Sequence, residues 1–202
     1  MTVPLLSGEL GETVAEFLRS YPDVRADILC ADRNVDLVAE GFDVAIRAGA
    51  LADSTMIARR LGTLKRVLVA APAYLRRRGI PQMPLDLEKH DAIIFGSGPN
   101  PRLWTLQDGR RSIDIRVSPR LSVNDLEWVQ AAARAGLGIA LLPHSLCSGD
   151  VKKGTLRRVL TDWSSGETPF HALYSSARHL SPKVIAFVEA MRKGFAAAQR
   201  AS

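Results

Sequence analysis

Arg47 is the residue whose placement most suggests chemistry. It follows FDVAI, a β-rich run bounded by turn signals, at the point where that strand stops. In open α/β sheets, ligands bind just beyond the carboxyl ends of strands. A guanidinium here either clamps an anionic ligand or pairs with a nearby carboxylate, and the residues alone leave both open. Catalysis has much less behind it. His90, His144, His171 and His179 show no metal-ligand spacing. His144 and Ser145 are sequence neighbours, which cannot face each other as base and nucleophile on a strand. No GxSxG, GxGxxG or GxxxxGK[ST] pattern occurs. Gly96-Ser97-Gly98 has the composition of a phosphate loop, but its plain reading is a flexible turn. The expectation is a binding protein with no catalytic residue, no metal and no cofactor.

The elements that must position Arg47 are readable around it. Val35, Leu37 and Val38 give a short helix an apolar side, and Gly41 suits the left-handed position just past its end. FDVAI then reads as a buried parallel strand. Upstream, Leu10 to Ser20 has helical periodicity with Leu10, Val14, Phe17 and Leu18 on one face. Tyr21-Pro22 stops it, and Val24 to Ala31 reads as a strand. Downstream come strand Arg66–Ala71, a short helix Tyr74–Arg78 closed by Gly79, a Pro-rich stretch, and strand AIIF. RLWTLQ and SIDIRV, joined by Asp108-Gly109, read as a hairpin. Asn124 or Asp125 caps a helix through Ala135, ended by Gly136. GIALLP, LRRVL and FHALYSS are further strands. Ser181-Pro182 opens a last helix with Val184, Phe187, Val188 and Met191 as its buried stripe. This alternation defines a mixed α/β fold with a parallel-rich core.

Composition bounds the function. The chain has 202 residues, 47% hydrophobic and 24% charged, enough for one large domain or two small lobes. Its two cysteines, Cys30 and Cys147, form no disulfide framework and read as reduced thiols. No apolar run reaches the length that spans a bilayer, and the N-terminus lacks a secretory signal pattern. The expectation is a cytoplasmic protein without a membrane partner. The net charge of +6 comes from scattered basic pairs without interleaved aromatic residues or a DNA-reading motif. It reads as solvated surface and helix-end charge rather than a nucleic-acid face.

Five segments also carry a resemblance through their order and spacing. VDLVAEGFDVAIRAG, ARRLG, RVLVAAPAYLRRRG, LSVNDLEWVQAAARAGLGIALLP and HALYSSARHLSPKVIAFVEAM resemble the effector-binding domain of LysR-type transcriptional regulators over roughly Pro4 to Phe195. The resemblance implies a two-lobed type 2 periplasmic-binding-protein-like fold with mixed sheets, flanking helices and a two-strand hinge. It places one lobe at 1–71 plus 173–202 and the other at 72–172. It implies a small-molecule effector, an organic anion, held in a cleft between lobes. Ser7, Asp32, Arg33, Arg47, Ala48, Ser97, Ser122 and Asn124 are the positions that would face it. Ser7 reads equally as a plain helix cap, and Asn124 as cap, ligand contact or both. The resemblance further implies a homodimer or tetramer in which the first helix packs on a partner's second-lobe helix. DNA would be bound only through a winged helix-turn-helix domain that this sequence lacks, so the chain reads as a fragment of a longer regulator. A stand-alone solute-binding protein and, less well supported, a small enzyme on the same fold are the alternatives.

Overall fold

The computed structural model describes residues 7–30, 36–49, 56–175 and 181–201 of the chain. In order these form α1 (Ser7–Ser20), β1 (Ala45–Ala48), β2 (Ile57–Ala70), α2 (Pro72–Arg78), a 3-10 helix (Pro84–Lys89), β3 (Asp91–Phe95), β4 (Arg102–Gln107) and β5 (Ser112–Val123). There follow α3 (Leu126–Arg134), β6 (Ile139–Pro143), α4 (His144–Lys153), β7 (Arg157–Arg158), β8 (Ser164–Tyr174) and α5 (Pro182–Ala201). The chain divides into two compact units, Met1–Leu64 with Thr168–Ser202, and Lys65–Glu167. It passes from one to the other within β2 and within β8.

In the first unit, α1 and α5 pack through their apolar stripes. Leu10 and Phe17 of α1 and Val184, Val188, Met191 and Phe195 of α5 are buried, and the Phe17 and Phe187 rings meet edge to face at 5.3 Å. Gly194 permits the close approach, since a Cβ there would collide with the Thr13 side chain. β1 runs antiparallel to β8, with Ala45 opposite Leu173 and Arg47 opposite His171. Among the described residues β8 is the partner β1 has, and no parallel neighbour of FDVAI falls within them. The strand is half-buried along its length rather than buried.

Two other local expectations change. Residues 36–41 form a single hydrogen-bonded turn rather than a longer helix: Asp36 Oδ1 accepts from the N–H groups of Val38 and Ala39 at 3.0 and 3.1 Å, as a helix cap does, and Glu40 N–H donates to the Asp36 carbonyl at 2.9 Å. Gly41 has the expected positive φ of 75°. Residues 24–30 carry no regular secondary structure and join no ladder among the described residues, and Ile28 and Leu29 are exposed. A strand needs a second backbone to pair with, which alternation in one run does not supply.

The second unit is built on a mixed sheet with neighbours β8, β4, β5, β3, β6, β2 and β7 in that order. β4 and β5 form the expected antiparallel hairpin, from Arg102 opposite Val117 to Gln107 opposite Ser112. Its turn is closed by Asp108, whose carboxylate accepts from the N–H groups of Arg110 and Arg111 and from the Arg111 guanidinium. These bonds pull the Asp108 carboxyl down to about 2. Beyond the hairpin β5 bends onto β3 and becomes its parallel neighbour, and β3 is parallel to β6. Leu68, Ala70, Leu87, Ile94, Leu106, Ile115 and Ile139 make the core of this unit. Helix α4 has no counterpart in the sequence reading: HSLCSGDVKK carries Ser, Gly and Asp, poor helix formers without an apolar stripe.

Candidate functional site

The residues expected to touch a ligand fall on both units, and each set has its own geometry. In the first unit, Arg47 and Ala48 close β1, opposite His171 and Phe170. Directly opposed residues of an antiparallel pair share a face with Cβ atoms about 4.5–5.5 Å apart. His171 is thus the neighbour of Arg47, and its Nδ1 is buried without a hydrogen-bond partner. Arg47 also lines a cavity of about 580 Å³ inside this unit, with Leu10, Phe17, Ile46, Phe187 and Lys183. Its wall combines apolar side chains with six charged ones, Arg25, Asp27, Glu40, Asp43, Arg47 and Lys183. Lys183 Nζ donates to Asp43 Oδ2 at 3.1 Å across this rim. Small-molecule sites combine apolar walls with polar groups that fix the ligand's orientation.

Ser7 is the first residue of α1, one position inside the helix rather than ahead of it. Asp32 and Arg33 lie outside the described residues, as do the side chains of the first three residues of α1.

In the second unit, Ser97, Ser122 and Asn124 are brought to one edge. β3 and β5 are parallel, with Ile94 beside Ser122 and Phe95 beside Val123, and Gly96 donates to the Val123 carbonyl at 2.9 Å. Ser97 and Asn124 therefore leave adjacent strands side by side at their carboxyl ends, where α/β sheets hold ligands. The Ser97 carbonyl accepts from the Arg102 guanidinium. Ser122 Oγ is buried and makes no hydrogen bond. Buried hydroxyls are ordinarily satisfied, so Ser122 is an acceptor and donor in waiting. Asn124 is exposed and does not cap α3. The cap is Asp125, whose Oδ1 accepts from Glu127 N–H at 2.8 Å and Trp128 N–H at 3.1 Å. That leaves the Asn124 amide to other work.

Sequence reasoning missed His171 and the charged lining of the cavity. The register of β1 on β8 is what places His171 beside Arg47, and register is not legible from two short apolar runs. Cys30 is exposed and Cys147 is buried, both as free thiols. Burial pushes the Cys147 thiol up to about 11, which makes it inert at neutral pH. No helix of the described residues is long and apolar enough to cross a membrane.

This architecture is a mixed α/β, periplasmic-binding-protein-like fold. The chain belongs to the LysR substrate binding domain family, whose sequence profile matches residues 3–196. It is 33% identical over 194 residues to an HTH-type transcriptional regulator of Xanthomonas campestris, covering 93% of this chain and 56% of that protein. It is 31% identical over 186 residues to the HTH-type transcriptional activator AaeR of Escherichia coli, covering 92% of this chain and 60% of that protein. The chain thus spans somewhat over half the length of these relatives. Among solved structures it is similar to the regulatory domain of CrgA from Neisseria meningitidis, with TM-score 0.83, 26% identity, and 96% and 95% of the two chains covered. The regulatory domain of AphB from Vibrio vulnificus follows, with TM-score 0.78, 27% identity, and 92% and 93% covered.

Proposed function

We propose that this chain is the effector-sensing and self-associating part of a bacterial LysR-type transcriptional regulator, and that it works in the cytoplasm without catalysing a reaction. The single observation that carries this reading is the family match across residues 3–196. The printed names of the relatives, HTH-type transcriptional regulators, support the DNA-linked role. DNA contact belongs to a helix-turn-helix part of the whole regulator, not to these residues. The effector is a small organic anion. Ser7, Asp32, Arg33, Arg47 and Ala48 are its contacts on the first unit, and Ser97, Ser122 and Asn124 on the second. Arg47 supplies charge-assisted hydrogen bonds, and Ser122 and Asn124 supply neutral ones. Binding favours one conformer of the chain over others, and a homodimer or tetramer transmits that population shift.

The test is a chemical-shift survey with a panel of small carboxylates. The expected result is a saturable shift of the backbone amides of Arg47, Ala48, Ser97, Ser122 and Asn124 with one member of the panel. Saturable shifts confined to other residues would contradict this assignment.

A further inference from the structure

Helix α4 and its surroundings hold a group of cations that the effector reading does not use. The β2–β6 ladder places Arg66 opposite Pro143. The next residues on each strand, Lys65 and His144, are therefore side by side, where β6 passes into α4. Lys65, Val67 and Val69 alternate onto one face of β2. Arg158 lies opposite Val69, so it stands on that same face. Four strand residues span about 13 Å, within the combined reach of a lysine and an arginine side chain directed at each other. Arg158 Nε is buried with no hydrogen-bond partner, while Nη2 donates to the Thr161 carbonyl at 3.1 Å. Lys65 and Lys152 are exposed and His144 is half-buried.

The charges around His144 are of one sign. Burial first, and then Arg158, Lys152 and Lys65, hold the His144 imidazole below its ordinary range, and no carboxylate opposes them. The acid on this helix, Asp150, is turned away and satisfied by Gln130 at 2.7 Å, Thr155 at 2.7 Å and Arg134 at 3.7 Å. Like charges gathered without a counter-charge are unfavourable, and an arriving anion relieves the repulsion.

We infer that Lys65, His144 and Arg158, with Lys152 at the margin, form a seat for a phosphate-class oxyanion on the second unit. Lys65 beside His144, with Arg158 on the same face, offers donors of different shape, which suit a tetrahedral, multiply charged group better than a single carboxylate. The seat is on β2, α4 and β7, whereas Ser97, Ser122 and Asn124 are on and after β3 and β5. It therefore stands or falls apart from the organic-anion reading.

The experiment is an NMR titration of the His144 imidazole in the whole chain, in chloride and in inorganic phosphate at matched ionic strength. Phosphate should raise the His144 pKa by about one pH unit, the size of effect a neighbouring opposite charge has. Lys65→Ala and Arg158→Ala should each remove most of that rise. Should Arg158→Ala fail to fold, the exposed Lys65→Ala and Lys152→Ala carry the same comparison. Identical titration curves in chloride and phosphate would overturn the seat, as would a phosphate response unchanged in Lys65→Ala. A short DNA duplex shifting His144 where inorganic phosphate does not would also overturn it, in favour of a nucleic-acid contact.

Discussion

Ser122 shows how one residue can trade stability for binding. Its hydroxyl is buried and unbonded, and leaving a buried polar group unsatisfied costs about 1–3 kcal/mol. Ser122→Ala removes that cost and only one atom of packing. The variant should melt above the wild type, by roughly 2–4 °C for each kcal/mol in a chain of this size, while binding an organic anion less tightly. Differential scanning calorimetry together with a ligand titration checks both halves. A lower melting temperature with unchanged affinity would make Ser122 a packing residue only. At this scale the sequence was partly legible. Arg47 at a strand end and Asn124 before a helix could be read from turn signals, because those signals are local. That Asp125 rather than Asn124 caps α3 could not, because both residues are good caps and only the hydrogen bonds distinguish them. Nor could His171, whose importance comes from a partner over a hundred residues away in sequence.

Elements set the positions of these residues, and their ends and close approaches are the places to perturb. Asp125 holds the start of α3 with two backbone N–H groups. Losing such a cap costs about 0.5–2 kcal/mol, so Asp125→Ala should lower the melting temperature by a few degrees and increase amide exchange at Glu127 and Trp128. Unchanged exchange there would mean the cap contributes nothing. Gly138 precedes β6 where that strand approaches β3, and a Cβ at this position would run into the Asp91 carbonyl. Backbone cannot give way as a flexible side chain can. Gly138→Ala should therefore cost about 1–3 kcal/mol, the usual range for overpacking, measured by urea denaturation. A midpoint equal to the wild type would show that β6 sits farther from β3. Strands and helices with a strong pattern, such as the β4–β5 hairpin and α5, were readable because period and turn residues agree. Helix α4 was not, since its Ser, Gly and Asp content works against a helical pattern and tertiary contacts decide.

For the whole molecule, the fold class followed from the strand–helix alternation, and the family from the order of five segments. The strand pairing directions did not follow from either. Trp128 is 67% exposed on α3, beside Ala132, and large exposed aromatic residues are the side chains that most often anchor interfaces. A two-fold dimer pairing α3 with a partner's α1, near Val14 and Ala15, would cover it. Sedimentation should show a dimer at tens of micromolar, roughly the range in which weak interfaces fill, and Trp128→Asp should shift it to monomer. A wild-type monomer at those concentrations would count against this interface.

The claim that matters most is that this chain binds a small organic anion through Arg47. Isothermal titration calorimetry of the wild type and Arg47→Ala with a carboxylate ligand tests it most directly. Losing one charge-assisted contact costs about 1.5–3 kcal/mol, about ten- to a hundredfold in Kd, and the variant should keep a melting temperature close to the wild type. A large fall in melting temperature with affinity intact would contradict the account: Arg47 would then be an ion-pair residue of the fold, and ligand recognition would lie with other residues.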